Sequence, residues 1–482
     1  MINFQPVSNV IGILLGLLGS IMIVLGLIFM YDDMGTVWAF GKSGIVTLSA
    51  GAILYFLKFG TKNNVQKREG YIIVALAWIA MILFGALPYF FADITKSVSD
   101  TIFESASGFT TTGATIFTDI EALPRSILLW RSLTQWFGGM GVIVLTVALL
   151  PLLGIGGIQL FMAEAPGPTS DKIHPRIQGT AKRLWFIYVG LTVILMGLLY
   201  LEGMTMFDAI NHGFTTMATG GFSTKNASVA GYSPLIQYTI ILFMFIAGTN
   251  YAMLYFGLKG KFKNILRNDE FKFYLIIVGF FVLCMTAGIV HKSQLDLESA
   301  FRAGLFQTIS LITTTGYITA DYTSISPFIT SVAFLLLFIG GSAGSTSGGI
   351  KLIRHLVFVK NSYLEFKRLL HPRAIVRVKL NKQLVQGRIM THILVFLLMY
   401  LGVFVVGTIV VSTLEMDFLS SVGAVATCLG NVGPGIGSVG PVDNFAHVDG
   451  LAKIVLSFIM ILGRLELFTI IILFTPFFWR NN

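Results

Sequence analysis

Four short segments rich in threonine and glycine recur along the chain: Thr110-Thr111-Thr112-Gly113-Ala114-Thr115, Ala218-Thr219-Gly220-Gly221-Phe222-Ser223-Thr224, Thr313-Thr314-Thr315-Gly316-Tyr317 and Leu429-Gly430-Asn431-Val432-Gly433-Pro434-Gly435. These residue types suit one kind of chemistry. A cation that sheds its water needs other oxygens, and a ring of backbone carbonyls can supply them. Aiming successive carbonyls at one axis takes an alternating backbone, which glycine permits, and a threonine hydroxyl can complete the innermost site. The candidate ligating residues are Thr111, Thr112 and Gly113; Thr219, Gly220 and Gly221; Thr314, Thr315 and Gly316; and Asn431, Val432 and Gly433. Taken singly, each segment reads equally well as an ordinary turn. Four copies at the same place in four units are not explained that way.

A second group lies further on. Residues 327–339 read as half a membrane helix, followed by Gly340-Gly341-Ser342-Ala343-Gly344-Ser345-Thr346-Ser347-Gly348-Gly349. A half-helix of that length reaches about 20 Å, so the break falls within a bilayer. Each glycine costs roughly 1 kcal/mol in a helix interior, and the run is not expected to stay helical. Irregular backbone at that depth lines a cavity or is covered by protein. Two readings follow: a helix that ends early, or a loop that obstructs a pathway, with Gly340, Gly341, Ser342, Gly344, Ser345, Gly348 and Gly349 as its candidate gate residues. Arg464 sits in an apolar final stretch, where an arginine near the membrane centre costs roughly 2.5–3.5 kcal/mol and needs a cavity or a partner. Glu466 is the nearest carboxylate in sequence, but residues two apart on a helix do not face each other.

The elements that position these residues follow from composition. Of 482 residues 55% are apolar and only 12% charged, with mean hydropathy +0.81; a soluble chain of this length has about a quarter of its residues charged. The apolar residues fall in runs long enough to span a bilayer as helices, and such runs satisfy their backbone internally only when helical. A β-barrel is excluded by continuous rather than alternating apolar blocks. Two helices are expected first, at residues 10–30 and 44–58, the first retained rather than cleaved. Four units then repeat one plan: a long apolar helix, a shorter stretch, a Thr/Gly segment, and a second long helix. Asp100 and Asp208 each stand thirteen residues before Gly113 and Gly221, which sets the first two units in register. Each unit crosses twice, so all four share one orientation, which counts against an inverted repeat. The fold expected is an all-α polytopic membrane protein, with two N-terminal helices and four helix–pore-helix–helix repeats around a central pore. Its expected divisions are 1–68, 69–180, 181–270, 271–389 (with the Gly/Ser loop) and 390–482.

The formal charge of +10 does not signal nucleic acid. Lysine and arginine gather at residues 58–68, 172–183, 259–272 and 351–388, whereas the alternate connections carry single charges. That asymmetry places both termini in the cytoplasm.

With these residues in view, the chain resembles the Trk/Ktr/HKT superfamily of potassium-uptake proteins, and within it the TrkH/TrkG branch. Gly113, Gly221, Gly316 and Gly433 stand where that family has one filter glycine per repeat, and the N-terminal helix pair matches the branch. The resemblance implies gated potassium passage down its electrochemical gradient, with potassium as the permeating ion and no covalently held cofactor. It implies a bacterial inner membrane, contact with lipid, a homodimer, and docking of a cytoplasmic nucleotide-binding regulator of the TrkA type. It also implies that the Gly/Ser loop moves on opening and that Arg464 is a fixed positive charge below the filter. No segment has the full T-V-G-Y-G sequence, so discrimination against sodium is expected to be weaker than in a potassium channel. Sodium-selective plant relatives carry serine at the first glycine, so Gly113 favours potassium. A coupled transporter moving potassium with protons or sodium remains the alternative on the same scaffold.

Other signals point nowhere further. Gly435-Ile436-Gly437-Ser438-Val439-Gly440 fits G-x-G-x-x-G but lacks the strand and helix of a dinucleotide site. Cys284 and Cys428 suggest neither disulfide nor metal. The seven histidines do not cluster, and His212 is expected to pack within the second short helix. Trp130, Arg131 and Trp136 read as an interfacial belt. No catalytic constellation is expected.

Overall fold

The computed structural model describes residues 3–32, 34–57, 67–95, 97–153, 177–374, 376–385 and 387–480. Of the expected basic links, residues 58–66 and 172–176 lie outside them. Six described helices are long and apolar enough to cross a membrane, or up to eight when each of two bent pairs counts as one span.

The N-terminal pair is longer than the sequence suggested, Phe4–Ile28 and Met34–Phe56. Small residues explain their packing. A side chain on Gly12 would meet the Gly51 carbonyl at 2.7 Å, and one on Gly19 the Gly44 carbonyl at 2.8 Å. Glycine therefore lets the two backbones touch, as in membrane helix pairs where lipid is as apolar as any side chain.

Each of the four units contains a long helix, a short helix and a second long helix that is interrupted. The first long helices are Lys67–Gly85, Ile177–Leu201, Asp269–Lys292 and Gly387–Ser412. The short helices are Val98–Phe109, Met206–Met217, Leu297–Ile312 and Phe418–Gly430. All four start alike. Ser97, Thr205, Asp296 and Asp417 use their side chains to accept from the backbone N–H three residues on, at 3.1–3.3 Å. Each cap satisfies one of the orphan donors of a helix start. The third short helix is longer because its cap lies twenty residues before Gly316, against sixteen elsewhere.

The stretch at residues 351–388, expected as a basic loop, holds a helix, Leu352–Leu370, and a small antiparallel hairpin pairing Lys379–Leu380 with Gln383–Leu384. Ile353, Leu356, Val357, Val378 and Leu380 bury their side chains together there. This apolar cluster gives the charged segment a reason to fold.

Outward faces of the long helices are apolar and open. Ile276, Leu283, Val406 and Leu398 are all more than half exposed, as suits surfaces that meet lipid rather than water.

Candidate functional site

The short helices end by converging, and each ends in the same way. The N–H groups of Thr111, Thr219, Thr314 and Asn431 bond to the carbonyl three residues back. Those of Thr112, Gly220, Thr315 and Val432 reach five residues back, at 2.9–3.0 Å. This pair of bonds is a Schellman ending, and it requires a left-handed residue that is usually glycine. Here Thr111, Thr219, Thr314 and Asn431 adopt it, with φ of 54°, 52°, 55° and 53°. A β-branched residue at positive φ is costly and persists where the surroundings enforce it. Two residues later Gly113, Gly221, Gly316 and Gly433 are again at positive φ, 83°, 76°, 76° and 105°. The alternation that the sequence called for is therefore built four times over.

These segments close on one another. A Cβ on Gly113 would collide with the Gly220 carbonyl, one on Gly221 with that of Thr315, and one on Gly316 with that of Val432. A Cβ on Gly433 would lie 2.7 Å from the Thr112 carbonyl. Each glycine abuts the residue preceding the glycine of the next unit, and the fourth returns to the first. All twelve candidate residues thus belong to one ring, and the C-terminal ends of four short helices direct their negative dipoles toward it.

Side chains behind the ring tie neighbouring units together. Nine residues before the glycine stand Glu104, His212 and Gln307. Each reaches the strand leaving its own glycine: Glu104 accepts from Ile116 N (3.0 Å), His212 Nε2 meets the Ser223 hydroxyl (3.0 Å), and Gln307 donates to the Ala320 carbonyl (3.2 Å). In the fourth unit the position is Ala424, and Tyr322 from the third unit donates to Gly435 instead (2.8 Å). Lys453 in the fourth unit pairs with Asp100 in the first at 2.6 Å. Gln135, from the first unit, accepts from Phe222 N (3.1 Å) and donates to the Gly220 carbonyl.

Directly below the ring, the second long helices all break. Gly141 leaves helical geometry in the first unit (φ 65°, ψ 172°). Pro234–Ala247 and Tyr251–Leu258 meet at 105° in the second, and Gly450–Arg464 and Phe468–Phe474 at 108° in the fourth. In the third, Pro327–Leu336 ends three residues earlier than expected, and the chain is irregular until Leu352.

That irregular stretch is bonded to the ring's inner side. Gly348 N donates to the Thr314 hydroxyl (2.7 Å), and the Thr346 hydroxyl lies 3.3 Å from that of Thr219 and donates to Met217 O (3.1 Å). Gly348 also lies against the side chain of Asn431. Ser342 N donates to Gly248 O (2.9 Å), and Gly344 O accepts from Tyr251 N (3.1 Å), which joins it to the break in the second unit. Gly340 N bonds to Ile350 O (2.7 Å) and Gly341 N to Ser347 Oγ (3.0 Å), while Ser345 Oγ donates to Ser342 O (2.6 Å). Gly344 and Gly349 take positive φ, 72° and 64°. Arg464 closes the set. It donates to Thr346 O (2.8 Å), Gly139 O (2.9 Å) and Gly138 O.

Comparison with known proteins accords with this geometry. The pattern of the TrkH family, described as a cation transport protein, matches residues 38–481. The chain belongs to the TrkH family. It is 40% identical to the Trk system potassium uptake protein TrkH of Salmonella typhimurium, over 99% of this chain and all of that one. It is 34% identical to the Trk system potassium uptake protein TrkG of Escherichia coli, over 99% of each chain. The crystal structure of the potassium transporter TrkH from Vibrio parahaemolyticus superposes with a TM-score of 0.88 at 38% identity, covering 99% of this chain and 100% of that chain.

Within this TrkH-family chain one expectation needs correction. Trp130 and Arg131 do not face outward as an interfacial belt would. Trp130 is fully buried and donates to the Gly85 carbonyl (3.0 Å). Arg131, 1% exposed, pairs with the equally buried Glu104 at 2.8 Å. The carboxylate removes the need for headgroup water, but it lies 27 residues away in sequence and nothing local announces it. As the two-residue spacing implied, Glu466 does not pair with Arg464; it pairs with Arg354, whose guanidinium lies 3.9 Å from the Phe396 ring centre. His212 is buried as expected, its Nδ1 2.8 Å from the Asp208 carbonyl. Three of the four breaks were not anticipated. Their signals were present: Gly138-Gly139-Met140-Gly141, Gly248-Thr249-Asn250 and Gly463-Arg464 are small or polar interruptions of apolar runs.

Proposed function

We propose that this chain is a gated potassium pathway in which Thr111–Gly113, Thr219–Gly221, Thr314–Gly316 and Asn431–Gly433 form the selectivity filter. The observation that carries this reading is the closed ring of four left-handed–x–glycine segments, each glycine against the preceding carbonyl of its neighbour. Such a backbone can exchange a cation's water for carbonyl oxygen. The relatives named potassium uptake proteins supply the ion.

The gate is the stretch from Gly340 to Gly349 together with Arg464. Its bonds to Thr219 and Thr314 occupy the hydroxyls that a cation leaving the filter would meet first. Opening therefore displaces the loop and frees those oxygens. Arg464 holds the loop through Thr346 and sets a positive charge in the exit path. The repeat divisions given above, a bacterial inner membrane, cytoplasmic termini, a homodimer and a TrkA-type regulator belong to the same reading, supported by the clustering of lysine and arginine and by the family. No catalytic step is assigned to the chain.

Single-channel recording of the reconstituted protein tests the proposal. Discrete openings that reverse near the potassium equilibrium potential support it. Slow, saturable flux tied to a proton or sodium gradient replaces it with the coupled transporter.

A further inference from the structure

Among the described residues the buried Glu104–Arg131 pair has no counterpart in the other three units. At the same position they place His212, Gln307 and Ala424, none of which forms an ion pair among the described residues. Both side chains of the pair are removed from solvent, 0% and 1% exposed. Every side-chain nitrogen and oxygen of the pair itself is bonded. Glu104 accepts from the Thr115 hydroxyl at 3.1 Å and from Ile116 N at 3.0 Å. Arg131 donates to the Thr115 hydroxyl at 3.1 Å and to the Ser223 carbonyl at 3.4 Å. Its guanidinium also lies 4.1 Å from the centre of the Phe222 ring. One charge pair therefore grips the backbone just outside Gly113 and, across the unit boundary, the backbone just outside Gly221. Gln135, one helical turn from Arg131, holds the same second segment at Phe222 N and the Gly220 carbonyl.

A buried pair of this kind is weak evidence for stability, because two hydrophobic or neutral residues often serve the fold as well. What it does supply is fixed geometry for the groups it bonds. Resting on the filter reading above, we infer that Glu104 and Arg131 are positioning residues for ion discrimination. They lock the outer ends of the first two filter segments to each other and so set the carbonyl spacing presented to an arriving cation.

The test compares Glu104→Gln, Arg131→Gln and the double variant, each purified and reconstituted, by thermal stability and by reversal potential in mixed potassium and sodium. Each single variant leaves one buried charge alone, and both stability and selectivity are expected to fall. The double variant leaves no lone charge, so its stability is expected to return toward wild type. Its potassium-to-sodium permeability ratio is expected to stay about tenfold lower, the equivalent of ~1.4 kcal/mol. A double variant with the wild-type ratio overturns the inference, because the pair would then serve folding alone. A wild-type protein that passes no potassium refutes the filter reading itself, and the two failures are told apart by that control.

Discussion

The ring of four glycines and the layer beneath it are built on opposite principles. In the ring, four units of different sequence converge on one backbone: the same cap, the same Schellman ending, the same two positive-φ positions. One layer down, the same four units diverge. One helix kinks at Gly141, two bend by more than 100°, and one dissolves into a Gly/Ser loop. Arg464 comes from a single unit and bridges to two others. On the filter and gate reading proposed above, coordination of a spherical ion asks each side for the same thing, which keeps repetition, whereas obstruction asks for one movable part and something to hold it, which does not.

Substitution in the ring should give the largest effect. Alanine at Gly316 collides with the Val432 carbonyl in a conformation L-residues rarely adopt. Displacing a ligating group by about 1 Å can cost on the order of 100-fold in rate, and potassium flux through Gly316→Ala should fall by that much. Gly433→Ala meets its neighbour at 2.7 Å and should retain more flux. Equal loss at both positions would mean that crowding between units does not govern the ring.

Deleting residues 342–346 tests the other half of the comparison. It removes the bonds to Gly248, Tyr251 and Met217, each worth about 1 kcal/mol net. Reconstituted vesicles should then take up rubidium at least tenfold faster, since the loss of only ~1.4 kcal/mol already shifts an equilibrium tenfold. A deletion protein no faster than wild type removes the loop from the gate.

How much of this was legible in sequence follows the same division. The repeated parts were readable, because Gly113, Gly221, Gly316 and Gly433 announce a backbone need that composition cannot supply otherwise. The supports were not. Arg131 reads in sequence as an interfacial basic residue and nothing marks Glu104 as its partner; only folding brings the two to 2.8 Å. Likewise Arg464 reads as a charge awaiting a cavity, whereas three backbone carbonyls from two other units receive it. The breaks at Gly141 and Gly248 are hidden in the sequence because the flanking residues are apolar enough for a continuous span. Long-range pairing leaves no periodic trace.

A smaller effect is expected at Arg464. Arg464→Ala takes donors from Thr346 and Gly139 but leaves the loop's other bonds in place. Losing about 1 kcal/mol of net hydrogen bonding should raise flux roughly fivefold, and removing the charge from the exit path acts in the same direction. Reduced flux in a variant with normal thermal stability would assign Arg464 to building the pathway rather than restraining it.

The smallest change expected is a shift in preference rather than in rate. Gly113 lies against the Gly220 carbonyl at a φ of 83°, and serine there must push that carbonyl aside. Gly220 yields more readily than the threonine or valine carbonyls opposing Gly221 and Gly316, because it carries no side chain and its peptide is restrained mainly by Gln135. The ring should therefore survive Gly113→Ser with one oxygen displaced and one hydroxyl added. Such a ring fits potassium less closely, and the potassium-to-sodium ratio should fall about threefold, ~0.6 kcal/mol. An unchanged reversal potential in mixed potassium and sodium would show that the first unit can lose its glycine without cost. The equivalence of the four units would then stop at their backbones and not extend to their share of ion selection.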